Sequence, residues 1–527
     1  MINVISPGTK KEASDIVING IRRSCGQTQV QQSSISYLDR IMGKSSHDCW
    51  VFIDPIESWA DRIIYLVNET PRSKVIIFGS IPESLTQTLD ISIAPLTEEL
   101  QKYNSCSPAP KHGFSESQIN INYHHTIAGV NSPIDIRPLI HFDFTDEWNN
   151  LGYGEIRLDG SIWSLSQQVK VPLKALIADI KVGGCVISAY CGLWEQKSSS
   201  LLWFNRSVGP VDSQEWRLVE VFLSNHRHED LLCWPVVSEI PYGFDAAVTM
   251  RLDCDEDIES ARGLWKSYQK MNIPFSLALH SSVLEDTHQH ALAKEVLADG
   301  GAILSHSETH APNWGGNYDA AFKDAKISAE KIKEITGHSV RYAVSPFHQT
   351  PHYARLALSD AGYAGCIGGI IHNDPDFLMA RAGLPPGSAP DFIGHSQQVM
   401  MHGDCMLAKG EPLMIYKQAF NIAKNGRAFF GYLDHPFSPR YQYGWTSEEQ
   451  RITMHQKFID YMKRSGNVLF SNEEDAMDFL SAKSNISIKL MSSRFEIKPS
   501  YVHKSKWPLA IEYAGVLHCV DEGGVAL

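Results

Sequence analysis

The run Ala246-Ala247-Val248-Thr249-Met250-Arg251-Leu252-Asp253-Cys254-Asp255-Glu256-Asp257 decides the fold. Residues 246–252 read as a strand, and the chain then passes directly into an acidic loop. Ile258 to Met271 follows with a helical pattern. Strand, loop and helix in that order is the repeating unit of a parallel α/β sheet. In such sheets ligands bind where strands end, and this strand ends on carboxylates.

Working outward, the same unit recurs. Phe275–Leu279 reads as a strand before a helix at 288–299, and Ala302–Leu304 as a strand before a helix at 318–335. Tyr342–Val344 precedes a helix at 351–361, which leads to a strand at Ala364–Ile370. A helix at 412–425, a strand at Ala428–Leu433 and a helix at 447–464 come next. Val468–Phe470 and a helix from about Asn472 close the series. About seven β-α units in sequence predict an α/β class with a parallel, barrel-like sheet over residues 241–485.

Residues 1–125 read as a small α/β domain. Cys49–Ile53 and Lys74–Gly79 are buried strands around a helix at 57–68, and Tyr103–His112 reads as a loop. Residues 126–240 read as a mixed or β-rich region, with Ile140–Phe144 and Ser200–Phe204 rich in apolar and aromatic residues. Arg217–Leu223 fits strand or helix. Residues 486–527 return to alternation and form a β-rich tail, with short strands at Ile486–Leu490 and Arg494–Ile497.

The bulk composition narrows the classes. Over 527 residues, 43% are hydrophobic and 20% charged, an ordinary globular balance. A net charge of −13 argues against a general nucleic-acid-binding surface. The N-terminus lacks a basic segment followed by an apolar one, and no run of about eighteen apolar residues occurs. A cytoplasmic protein with no membrane span is expected. The ten cysteines are scattered without a C-x-x-C pair, which fits reduced thiols. Nothing in the sequence predicts an oligomeric state.

Three segments carry the chemistry. Side chains two apart on an extended chain point the same way, so Asp253, Asp255 and Asp257 can face one cavity. Alternatively, the acidic run caps the helix near Ile258. Ser305-His306-Ser307-Glu308-Thr309-His310 presents two histidines at i, i+4, which reach one ion if the segment turns helically. Two histidines and a carboxylate leave coordination positions open for water and substrate. With 22 histidines in the chain, such spacing also arises by chance. Leu433-Asp434-His435-Pro436 adds a histidine that fits two readings, a proton donor to a leaving amine or a hydrogen-bonded structural histidine. Each segment directly follows a predicted strand.

That ordered set resembles the NodB-homology polysaccharide deacetylases, carbohydrate esterase family 4, over about residues 245–480. The family's first motif has two adjacent aspartates, and a subgroup has the D-x-D form seen here at Asp253 and Asp255. The resemblance implies a distorted (β/α) barrel of NodB type, with Asp253 as general base and Asp255 as a metal ligand. His306 and His310 match H-[ST]-x-x-H and would complete the metal set. His435 matches L-x-H and would be the general acid. The implied ion is Zn²⁺, with other divalent metals also compatible. The third motif, R-x-P-[YF]-G, is altered: Val344-Ser345-Pro346-Phe347-His348 has Val344 in place of the arginine that orients the base. Arg341 is the nearby substitute. The fourth motif, D-x-x-D-W, has no match, and Asn373-Asp374-Pro375-Asp376-Phe377 occupies its region without a tryptophan.

Trp314, Tyr441, Tyr443 and Trp445 are candidates to stack on sugar rings, and a backbone N–H near Phe347 is a candidate oxyanion donor. His395 and His402 have no role in the metal set and read as structural. The implied activity is metal-dependent removal of N-acetyl groups from an amino sugar in a poly- or oligosaccharide or a biosynthetic intermediate. The alternatives are a deformylase or other C–N hydrolase on the same scaffold, separable by product mass, and a non-catalytic carbohydrate-binding protein, separable by glycan binding without turnover.

Overall fold

The computed structural model describes residues 1–43, 48–98, 119–124, 137–138, 162, 164–210, 213–369, 381–385, 387–397, 399–406, 409–491 and 494–527. The expected loop at Tyr103–His112, the Ile140–Phe144 segment and the Asn373–Phe377 segment lie outside these residues.

Residues of the first 204 positions build one nine-stranded sheet. Five strands are mutually parallel, in the order Val30–Gln32, Ile2–Ile5, Cys49–Ile53, Ser73–Phe78 and Ser199–Phe204. Antiparallel strands Cys185–Glu195, Leu176–Val182, Ile119–Tyr123 and Arg137–Pro138 continue it. The sheet therefore crosses the division at residue 125. Leu201 to Phe204 lie opposite Val75 to Phe78, and all of these side chains are buried. The apolar ends of the two strands, Val75–Phe78 and Leu201–Phe204, are thereby buried against each other in the middle of the sheet. The ambiguous Arg217–Leu223 segment is helical, within Ser213–Ser224. Trp216, Leu218, Val219, Val221, Phe222 and Leu223 are buried, and so are Glu215, Arg217 and Glu220, so the helix is covered on nearly every side and periodicity could not type it.

The second sheet is parallel, as the β-α series predicts, and forms a half-barrel. Its order is Ile393–Gln397, Gly365–Gly369, Tyr342–Val344, Ala302–Ser305, Ser276–Leu279, Ala246–Cys254, Phe430–Asp434 and Val399–Met400, and Val468–Ser471 also pairs with Ala246–Cys254. Helices Arg262–Lys270, His290–Ala298, Tyr318–Thr336, His352–Asp360, Met414–Asn425 and Glu448–Arg464 alternate with the strands. Two strands escaped sequence reading. Ile393–Gln397 carries Gly394, His395, Ser396 and Gln397 and has no apolar run, while Val399–Met400 is only two residues long.

The Ala246–Cys254 strand is buried along its whole length. Its even-numbered residues Ala246, Val248, Met250, Leu252 and Cys254 pack in the core beneath the outer helices. Ala247 faces the opposite core, which it shares with Ala278, Leu304, Val344, Ile367 and Ile393. Thr249, Arg251 and Asp253 follow it on that inner face by the two-residue period. The same core contains Met477 and Leu480 of helix Glu473–Ser484 and Val17 and Ile21 of helix Lys11–Cys25. The half-barrel interior is thus filled jointly by its own last helix and by the first sheet's layer.

A buried ionic network lies where these parts meet. The Arg381 guanidinium forks onto Glu220 with two 2.7 Å bonds, and Arg217 donates to both Glu220 (2.7 Å) and Glu512 (2.6 Å). Ser24 Oγ donates to Glu220 at 2.7 Å. Lys483 donates to the Arg23 carbonyl at 2.7 Å and lies 3.7 Å from Glu239. The tail adds the hairpin Ser487–Met491/Arg494–Lys498 and strand Leu509–Tyr513, which pairs with Val236–Val237. Among the described residues, no helix is long and apolar enough to cross a membrane.

Candidate metal centre

Strand register brings the motif segments together. Leu252 lies opposite both Leu277 and Asp434, and Leu279 lies opposite Ser305. Asp253, His306 and His435 therefore leave the sheet at one level, at its carboxyl end. A cavity of about 930 Å³ opens there, lined by Asp253, Asp255, His306, His310, Phe347 and His435 among others.

Asp255, His306 and His310 form a compact donor triangle. Asp255 Oδ1 lies 3.2 Å from His306 Nε2 and 3.5 Å from His310 Nε2, and the two Nε2 atoms are 3.1 Å apart. An ion bound tetrahedrally through bonds of about 2.0–2.1 Å has ligand–ligand edges of about 3.3 Å, so the spacing fits a small divalent metal. Asp255 Oδ1 is buried and accepts no hydrogen bond of good geometry. His306 Nδ1 lies 3.1 Å from the Val344 carbonyl, and a hydrogen bond there leaves Nε2 as the donor atom toward the triangle.

The histidine pair is not helical. Ser307 (φ 68°) and His310 (φ 48°) sit in the left-handed region, and the segment is a tight loop. Ser307 Oγ accepts from the His310 N–H at 2.8 Å. Asp324 on helix Tyr318–Thr336 accepts from the N–H groups of Glu308 (2.8 Å) and Thr309 (2.9 Å). These polar anchors, not helix periodicity, bring the two rings together. The His280 ring bridges the two ligand loops, with Nδ1 2.9 Å from the Asp255 carbonyl and Nε2 2.9 Å from that of Glu308.

Asp253 stands beside the triangle in the grip of Arg251. The guanidinium reaches both carboxylate oxygens, Nε at 2.6 Å and Nη2 at 3.2 Å, and both side chains are buried. Burial works to raise the Asp253 pKa, but Arg251 and His306 outweigh it and hold the carboxyl at about 2. Asp255 is displaced further down, because His306 and His435 beside it overcome its burial. For His306, burial pulls the pKa down while Asp253 and Asp255 pull it up harder, leaving it raised. Burial and neighbouring His306 push His310 down to about 4.

His435 approaches from another side, with Nε2 3.4 Å from Asp255 Oδ2. Its Nδ1 lies 2.7 Å from His402 Nε2, and its ring stacks on Tyr443 at 4.2 Å between centroids. Its backbone is held from behind. Asp434 Oδ1 accepts from the His435 N–H at 2.8 Å, and Arg451 donates to the His435 carbonyl at 2.7 Å. His455 in turn lies 2.9 Å from Asp434 Oδ2.

Several expectations need correction. Arg341 precedes its strand, so it lies at the end away from the cavity and pairs with Asp478 at 2.6 Å. Arg251 grips Asp253 instead. Trp314 and Trp445 are buried in the outer core and do not line the cavity. Trp445 directs its Nε1 at Asp434, 3.4 Å away. Asp257 binds Ser260 Oγ at 2.6 Å and serves the helix start, the capping role weighed for the whole acidic run. Tyr441 is half-exposed, lines the cavity and packs edge-on against Tyr443. Phe347 lines it too, at φ 53°, with its ring 4.9 Å from His310. His395 packs away from the cavity, 3.0 Å from the Phe429 carbonyl. Arg251 was legible in principle, since it shares the two-residue face of Asp253. His402, read as structural from the sequence, lines the cavity against His435, and no local signal marked His280 or Asp324.

No protein-family model and no curated protein matches the chain. Among solved structures it is similar to a chain assigned as a polysaccharide deacetylase from Mycobacterium smegmatis, at 13% identity and TM-score 0.38, over 48% of this chain and 96% of that one. It is also similar to PuuE allantoinase, at 14% identity and TM-score 0.36, over 46% and 92% of the two chains. A third is the Xyl-CE4 domain of a multidomain xylanase from the hindgut metagenome of Trinervitermes trinervoides, at 12% identity and TM-score 0.31, over 47% and 97%.

Proposed function

We propose that this protein is a metal-dependent amidohydrolase that removes N-acetyl groups from an amino sugar. The observation that carries this reading is the donor triangle of Asp255, His306 and His310, flanked by an ionised Asp253 and by His435 at the head of one cavity. Asp255, His306 and His310 would hold a divalent ion, Zn²⁺ in our reading, which would supply Lewis acidity for an amide carbonyl and a water molecule.

The chain's own groups perform the proton transfers. Asp253 accepts a proton from the attacking water, and the Arg251 fork aims its carboxylate and keeps it ionised. Phe347 lines the cavity wall, and its backbone N–H is our candidate donor to the developing oxyanion. His435 donates a proton to the departing amine, which leaves as a free amino sugar with acetate as the second product. Tyr441 and Tyr443 at the mouth present aromatic faces suited to a sugar ring.

Metal content and acetate release from a panel of N-acetylated amino sugars test the proposal on wild type, His306→Ala and Asp253→Asn. His306→Ala is expected to lose metal and activity together. Asp253→Asn is expected to keep metal and lose activity by about 10²–10⁴-fold. Equal turnover in all three proteins removes the assignment.

A further inference from the structure

We infer that His402 is a positioning residue for His435: it supplies the acceptor that holds the acid's Nδ1–H, so that the second ring proton sits on Nε2 and faces the cavity. This rests on the reading of His435 as the proton donor.

The geometry is direct. His402 Nε2 and His435 Nδ1 are 2.7 Å apart, and both rings are buried. The Tyr443 ring packs against both, with centroids 4.2 Å from His435 and 4.8 Å from His402. A histidine ready to give up a proton carries N–H on both nitrogens and can only donate. His435 Nε2 faces Asp255 and the cavity, so its Nδ1–H needs an acceptor on the other side. His402 Nε2 is in place to be that acceptor provided His402 is itself neutral. Burial and neighbouring His435 push His402 down to about 3, so it remains neutral. Its own proton then belongs on Nδ1, on the side of the Asp404 carboxylate 3.9 Å away. The acid is thus oriented by an uncharged imidazole. A neutral acceptor fixes the tautomer and ring plane without adding a third negative charge beside Asp253 and Asp255.

Three variants and two readouts test this. His402→Leu removes the acceptor, whereas the Oε1 of His402→Gln can replace Nε2. His435→Ala is the control for the underlying reading. The expected result is a fall in kcat of about 10- to 100-fold in His402→Leu, with KM and metal content unchanged, and recovery of most of it in His402→Gln. Nitrogen-15 NMR of the neutral His435 ring is expected to show Nδ1–H in wild type and His402→Gln, and loss of that preference in His402→Leu. If His435→Ala is inactive while His402→Leu keeps wild-type kcat or the wild-type tautomer, the inference about His402 is wrong and the acid assignment stands. If His435→Ala turns over like wild type, the acid assignment itself fails.

Discussion

Arg251 and Asp253 occupy adjacent positions on the inner face of one strand, so the proposed base is oriented by its own element. A guanidinium fork matches a carboxylate in two bonds, and an ammonium cannot reproduce that plane. Arg251→Lys is therefore expected to keep the metal, because the donor triangle is untouched, yet lower kcat by about tenfold or more. Arg341→Ala, which loses a pair with Asp478 and a contact with the Tyr342 ring, both away from the cavity, is expected to leave kcat unchanged. Parallel metal analysis and acetate-release kinetics on the two variants check this contrast. In the proposed reading, Arg251 takes the part of the arginine that the resemblance expected in the third motif. The two-residue period of strands could have predicted that, and motif matching could not.

At the scale of the element, the ligand loops are held by side chains remote from the metal triangle in sequence. Asp324 is fourteen positions beyond His310, on the next helix, yet it receives two N–H groups of the His306–His310 loop. Asp324→Asn replaces a charged acceptor by one that can satisfy only part of this set. Metal affinity, measured by chelator competition, is expected to fall about tenfold, with the global fold retained. The sequence made the strand ends legible, because apolar runs stop where Asp253, His306 and His435 begin. It could not reveal how each loop closes. The H-x-x-x-H spacing suggested a helical turn, but left-handed φ at Ser307 and His310 and the pull of Asp324 produce a loop instead. The aromatic candidates divided for a similar reason. Burial depends on the tertiary path, so Trp314 and Trp445 went to the core while Tyr441 and Tyr443 reached the mouth.

For the whole molecule, the Glu220 network predicts an acid transition. The carboxyl, ordinarily near 4.5, is held at about 2, because Arg381 and Arg217 outweigh the burial that would raise it. A depressed carboxyl stabilises the fold above its unfolded-chain value, and the contribution disappears as pH falls from about 4.5 to about 2. Glu220→Gln leaves buried arginines without their counter-charge and is expected to cost about 3–5 kcal/mol at neutral pH. Its stability is also expected to depend less on pH through that acid window, as denaturant titrations at several pH values can show. The first 240 residues were the least legible part. Their sheet joins Ser73–Phe78 to Ser199–Phe204 across more than a hundred residues, and no local pattern encodes so distant a pairing.

The inner core has one more consequence. Ala247 and Leu304 of the half-barrel share it with Met477 and Leu480 behind them and with Val17 and Ile21 from the opening helix. The half-barrel therefore supplies only part of its own cover on that side. Cut free at residue 241, it would present a large greasy face to water, and in the intact chain the two halves should melt together.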